Sequence, residues 1–119
     1  MRFILVSLLA GCATQAPSPV EQPSPGVKEN VAIAGLMESA RADSAAGRLP
    51  NAAASLERAL RIEPRNPRLW QELARVRLKQ GDFAQAESCA LRSNSWAGND
   101  GALRAENARI IAAARERRR

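Results

Sequence analysis

The sequence predicts an all-α protein of about five helices arranged as repeated hairpins, and three observations carry that expectation. Glu-x-Ala-Arg strings begin at Glu38, Glu72 and Glu106, so one pattern returns every 34 residues. Self-similarity at such a period marks a stack of identical supersecondary units. From about residue 30 the chain is rich in Ala, Leu, Arg and Glu with helical periodicity, and no alternating strand pattern interrupts it. Turn residues punctuate the periodic segments at matching places, Gly47 and Gly81 among them.

The elements follow in order. Met1 to Gly11 has the composition of a signal peptide, with Arg2 in a short n-region and an apolar run from Phe3 to Leu9. That run is too short to span a bilayer. It ends in Leu9-Ala10-Gly11-Cys12, which resembles a bacterial lipobox and implies lipidation at Cys12. Residues 12–28 then form the lipidated cysteine and a proline-rich tether: four prolines among polar residues cannot build a core. In polyproline geometry this spacer reaches on the order of 50 Å.

The folded domain is expected over 29–119. A first helix over about 30–46 stops at Gly47, a favourable C-terminal cap. Pro50 fits the first turn of a second helix that runs to about Ile62, and Glu63-Pro64-Arg65-Asn66-Pro67 closes it. A third helix over about 67–80 ends at Gly81. Asp82 caps a fourth, which runs to about Asn94. Trp96 to Asp100 is a turn, and Asn99 or Asp100 caps a last helix over about 101–117.

Bulk chemistry narrows the function classes. Eighteen Lys and Arg against twelve Asp and Glu give a net charge of +6, and there is no histidine. Much of the excess lies in the Arg-rich last five residues. Two Trp, two Phe and no Tyr are poor stacking material for nucleic acid. With no histidine, no metal-ligand cluster and no glycine-rich phosphate loop, the sequence gives no support to an enzyme, a cofactor or a metal site. Cys89 is the only thiol besides the anchor, so no intramolecular disulfide forms in the mature chain, and its small-residue helix marks it as a packing residue.

Shifting the chain by 34 pairs Leu36 with Trp70, Ala40 with Ala74, Gly47 with Gly81, Ala52 with Ala86 and Ile62 with Trp96. These spacings resemble the tetratricopeptide repeat (TPR). Trp70, Leu73, Ala74, Gly81, Asp82, Phe83 and Ala86 carry the match in the second repeat; Leu36, Ala40, Gly47, Ala52, Ala59 and Pro64 carry it in the first. The sequence departs from the pattern at Asp43 and Arg77, and again at Leu56 and Ala90, where aromatics are usual. The resemblance implies two helix-turn-helix repeats (about 33–66 and 67–100) plus a capping helix, a fragment of a right-handed α-solenoid. Two repeats and a cap is a short array, which makes self-association an expectation as well.

The resemblance also implies a binding surface. In TPR proteins the first helix of each repeat lines a concave groove, and Arg41, Arg75 and Arg109 fall on that side. Met37, Arg68, Gln71, Leu78 and Lys79 flank them. Repeated arginines could hold carboxylates or backbone carbonyls of an extended partner segment; alternatively, Glu and Arg three residues apart simply pair on the helix surface. The layout of lipobox, tether and TPR module resembles the lipoprotein activators of class A penicillin-binding proteins. It implies an outer-membrane lipoprotein facing the periplasm, since Ala13 after the cysteine is not the aspartate that retains such proteins at the inner membrane. The expected partner is then a periplasmic or inner-membrane protein such as a penicillin-binding protein, with membrane attachment through the lipid and no nucleic acid. Two other expectations stand beside it: an assembly (pilotin) lipoprotein for a secretin or pilus, and a basic binder of cell wall or lipid surface.

Overall fold

The computed structural model describes residues 25–119, with side chains from residue 30. The expected signal segment, Cys12 and the tether up to residue 24 lie outside the described residues. Five helices follow one another: α1 Pro25–Ala45, α2 Leu49–Ile62, α3 Pro67–Lys79, α4 Phe83–Trp96 and α5 Gly101–Arg117. No strand occurs among the described residues. The boundaries follow the punctuation in the sequence, with two differences. α4 runs on through Trp96, a residue expected to open the following turn. α1 begins at Pro25, inside the segment expected to be tether. Proline is compatible with a first helical turn, so the composition of 25–28 did not exclude helix.

Local chemistry explains each end. α1 and α3 stop in the same way: Arg48 N–H donates to the Asp43 carbonyl (2.8 Å) and Gly47 N–H to that of Ser44 (3.1 Å). One repeat later, Asp82 N–H donates to Arg77 (2.9 Å) and Gly81 N–H to Leu78 (3.1 Å). This Schellman pairing needs a left-handed residue, and Gly47 (φ 80°) and Gly81 (φ 78°) supply it. α3, α4 and α5 start on side-chain caps, where Asn66, Asp82 and Asp100 accept from Arg68, Gln85 and Leu103 N–H respectively. α2 starts instead with proline in its first turn and no side-chain cap.

The helices pack as hairpins, α1 on α2 and α3 on α4, with α5 laid over α4 and α3. The core is lean and alanine-rich. Leu56 and Leu69 are fully buried, and Ala40, Ala52, Ala59, Ala74, Ala86 and Ala90 let the backbones approach. Each buried leucine contributes about 1.5–3 kcal/mol, so stability rests on few large side chains. Trp70 packs against this core and donates its Nε1–H to the Pro64 carbonyl (2.7 Å), which holds the α2–α3 turn. Of the four positions without the usual aromatic, Leu56 and Ala90 are buried and the other two carry polar bonds: Asp43 accepts from Arg48 Nε (2.8 Å), and Arg77 pairs with Glu57 (2.6 Å).

The third copy of the motif differs from the first two in burial. Ala40 and Ala74 are buried beneath their partner helices, whereas Ala108 is exposed, since among the described residues no sixth helix lies beside α5. Cys89 is buried, and loss of solvation pushes its thiol pKa up, so it behaves as a packing residue. Among the described residues no helix is long and apolar enough to cross a membrane, and no cluster of three or more metal-ligating side chains occurs.

Candidate functional site: a charge ladder over an apolar groove

The Glu-x-Ala-Arg strings converge on one face of α1, α3 and α5. Because each alanine points at the hairpin's second helix, or at the place one would occupy, Glu and Arg on either side of it are left along the other edge. The result is a continuous ladder. Arg41 Nη2 lies 3.1 Å from Glu72 Oε1, which also accepts from Arg75 Nη1 at 2.9 Å. Arg75 Nη2 reaches Glu106 Oε1 at 3.3 Å, and Glu106 Oε2 accepts from Arg109 Nη1 at 2.7 Å. Glu72 and Glu106 therefore each bind the arginine of their own string and that of the string before it. Glu38 has no ion-pair partner among the described residues.

The two readings of the strings thus coexist in the geometry. Pairing within a string occurs twice, and pairing between strings also occurs twice, tying three helices together. The hydrogen bond from Arg109 is the main reason the Glu106 carboxyl is held below the usual carboxylate pKa, with the Arg75 charge adding to it. Arg75 is enclosed between two carboxylates with its side chain 39% exposed, whereas Arg41 (60%) and Arg109 (74%) keep open edges. Capacity to bind an outside acceptor therefore sits at the ends of the ladder.

Beneath the ladder lies a groove of about 310 Å³ between α1 and α3. Ala40, Leu56, Val76 and Ile110 supply apolar lining, and Leu78 joins them. Lys79 closes one end by donating from Nζ to Ser44 Oγ (2.9 Å). A second recess of about 270 Å³ lies between α3 and α5, bordered by Arg68, Gln71 and Arg109. Arg75 and Glu106 line both, so the middle of the ladder is the divide between them. An apolar side chain seated in the groove, flanked by backbone or carboxylate oxygens on the guanidinium edges, is what this surface can hold.

Each sequence-predicted residue has a definite place. Arg41, Arg75, Leu78 and Lys79 line the first groove, and Arg68, Arg75 and Arg109 the second recess. Met37 is half-buried against the core and lines neither recess. Gln71 is 8% exposed, and its amide is used inside the molecule, donating to the Leu103 carbonyl (3.0 Å) and to Asn107 Oδ1 (2.9 Å). Asn107 went unremarked in the sequence. Fully buried, it donates through Nδ2 to Ser93 Oγ (2.8 Å) and Asn94 Oδ1 (2.9 Å), while Ser93 donates to the Pro67 carbonyl (2.7 Å). One signal could have revealed it: Leu103, Asn107, Ile110 and Ala114 share one stripe of α5, and an amide on a core stripe needs buried partners.

Comparisons with known proteins agree with this architecture. Residues 44–110 match the family model described as tetratricopeptide repeat. The solved globular C-terminal domain of P. aeruginosa LpoP is 42% identical, over 82% of this chain and 86% of that one, with a TM-score of 0.72. No match was found among curated proteins.

Proposed function

The chain belongs to the tetratricopeptide repeat family, and from that premise we propose an outer-membrane-anchored periplasmic scaffold that holds a protein partner on its ladder face. The partner we favour is a class A penicillin-binding protein, whose peptidoglycan synthesis the scaffold would stimulate by contact and not by chemistry of its own. The observation that carries this reading is the 42% identity to the LpoP domain over most of both chains. The lipobox and tether support the anchoring, since they resemble the layout of the LpoP-type lipoprotein activators.

On this reading the groove between α1 and α3 receives an apolar anchor of the partner, and Arg41, Arg109 and Arg68 engage oxygens around it. Arg75 acts differently: held by Glu72 and Glu106, it fixes the spacing of the ladder. Leu78 and Lys79 border the anchor site, Met37 packs against the core, and Gln71 sets the position of α5.

Co-purification from detergent-solubilised envelope tests the partner. Recovery of a penicillin-binding protein is expected. Recovery of a secretin instead, or salt-labile binding to isolated sacculi, would replace this reading with assembly or cell-wall binding. The surface has its own test in the double variant Arg41→Glu, Arg109→Glu. Capture should fall about tenfold or more at unchanged helicity; undiminished capture would remove the ladder face from the interface.

A further inference from the structure

The arginines of the ladder are largely matched by glutamates, but those on the helix layer formed by α2 and α4 are not. Arg61, Arg65 and Arg92 have no carboxylate partner among the described residues. Arg61 and Arg92 border a groove of about 530 Å³ between α2 and α4, larger than either recess on the ladder face, and Arg65 follows Pro64 at its rim. Its floor is apolar: Leu60 and Leu73 lie within it at 8% and 4% exposure, beside Trp70. Its only lining carboxylate, Glu57, is already bonded to Arg77.

Each tryptophan of the chain carries an arginine on its face; Trp70 lines the groove, and Trp96 ends α4 outside that lining. Arg92 stacks over Trp70 with 5.0 Å to the ring centroid, and Arg65 over Trp96 with 5.2 Å. A guanidinium held over an indole can still offer N–H groups to carboxylates while losing little freedom when one arrives. Trp96 is also 46% exposed, and Ile62 and Leu91 are exposed as well. Tryptophan and arginine at an apolar recess are the residue types that dominate binding energy in protein interfaces. A further observation falls on the same wall: Arg77 Nε, which is buried, has no hydrogen-bond partner.

We propose that the α2–α4 groove is a second docking site, which takes an extended acidic segment of a protein partner. Its carboxylates meet Arg61 and Arg92, and an adjoining apolar side chain rests against Trp70 and Leu60. The recessed apolar floor favours a peptide over a lipid surface, because a planar bilayer can neutralise exposed arginines but cannot fill a recess. This site is independent of the ladder face, so one scaffold can hold two segments at once.

The test uses the full chain and a fluorescein-labelled peptide, Glu-Glu-Leu-Phe-Glu-Glu, with Gln-Gln-Leu-Phe-Gln-Gln as its neutral counterpart. Fluorescence anisotropy is expected to show the acidic peptide binding about tenfold or more tightly than the neutral one, accompanied by a change in tryptophan emission. The exposed-residue variant Arg61→Ala should weaken binding without touching the Trp70 stack, and the double variant Arg61→Ala, Arg92→Ala should weaken it further. Lysine at both positions should restore part of the affinity, since charge returns without the bidentate fork. Arg41→Glu on the ladder face should leave it unchanged. Equal binding of both peptides would overturn the proposal, as would indifference to Arg61 and Arg92 or loss of binding in Arg41→Glu. Anionic phosphatidylglycerol vesicles binding through the same arginines while the peptide does not would also overturn it, in favour of a lipid contact.

Discussion

Two junctions join the successive repeats, one between α1 and α3 and the other between α3 and α5, and they are built from different chemistry. At the second, beside the Arg75–Glu106 ion pair, Gln71 of α3 donates to the Leu103 carbonyl and to Asn107 of α5, with Gln71 8% and Asn107 0% exposed. At the first, the polar contacts are Arg41 to Glu72 and Lys79 to Ser44, with Arg41 and Lys79 exposed and an open groove beneath. Dehydrated hydrogen bonds fix a geometry, because leaving one unmade costs the desolvation of its partner. Solvated ion pairs hold weakly and yield to salt. The stack therefore has one fixed joint and one adjustable joint, and the groove lies at the adjustable one.

The largest effect is expected at the fixed joint. Asn107→Ala removes an amide that serves Gln71, Ser93 and Asn94 at once. It should lower unfolding stability by about 3 kcal/mol, read from the urea midpoint, because buried donors and acceptors lose their partners together. Amide exchange should rise in α5 and much less in α1. A loss under about 1 kcal/mol, or exchange spread evenly over both, would mean the amide network does not fix this joint.

That asymmetry marks the limit of what the sequence revealed. The five helices were legible because their signals are local: glycine after α1 and α3, proline at the start of α2 and α3, asparagine or aspartate at the caps. The ladder was half legible. Glu72 and Arg75 are three residues apart on one helix, so their pairing can be inferred from spacing. Arg41 to Glu72 and Arg75 to Glu106 depend on how far neighbouring helices stand apart, which no single-helix rule provides. Gln71 illustrates the same gap, since its register places it beside the ladder residues while packing of α5 draws its amide inward. Arg92 and Trp70 meet across α3 and α4, so the second groove had no signature in the spacing of either helix.

An intermediate effect is expected at the adjustable joint. Glu72→Gln removes the charge that Arg41 and Arg75 share, while keeping the side-chain shape. The cost should stay within about 1 kcal/mol at low salt and vanish near 1 M salt, where screening acts over about 3 Å. Exchange should now rise in α1 and leave α5 as it was, the reverse of the Asn107 pattern. Measuring both variants in one solvent series is the sharpest form of the contrast. A loss that persists in high salt would mean that this joint is also fixed by buried interactions.

The smallest effect concerns pH and separates the two joints where they meet, at Glu106. Its carboxyl is held below the usual value, first by the hydrogen bond from Arg109 and then by the charge of Arg75, against an opposing desolvation cost. A folded-state pKa below the unfolded one means that the stabilisation is complete above the unfolded value, about 4.3 for glutamate, and is lost as pH falls through the folded value. The melting temperature should therefore decline on acidification below about pH 5, and Glu106→Gln should flatten part of that decline. Side chains exposed as these are limit the contribution to under about 1 kcal/mol, or a shift of a few degrees. Glu87, held low by Arg115 and Arg118, titrates in the same direction but bridges α4 and α5 away from the ladder. Glu87→Gln is the matching control: both variants should flatten the acid limb, but only Glu106→Gln should loosen the ladder, seen as altered peptide or partner capture at neutral pH. If the two variants affect capture equally, the ladder has no special standing among the surface ion pairs.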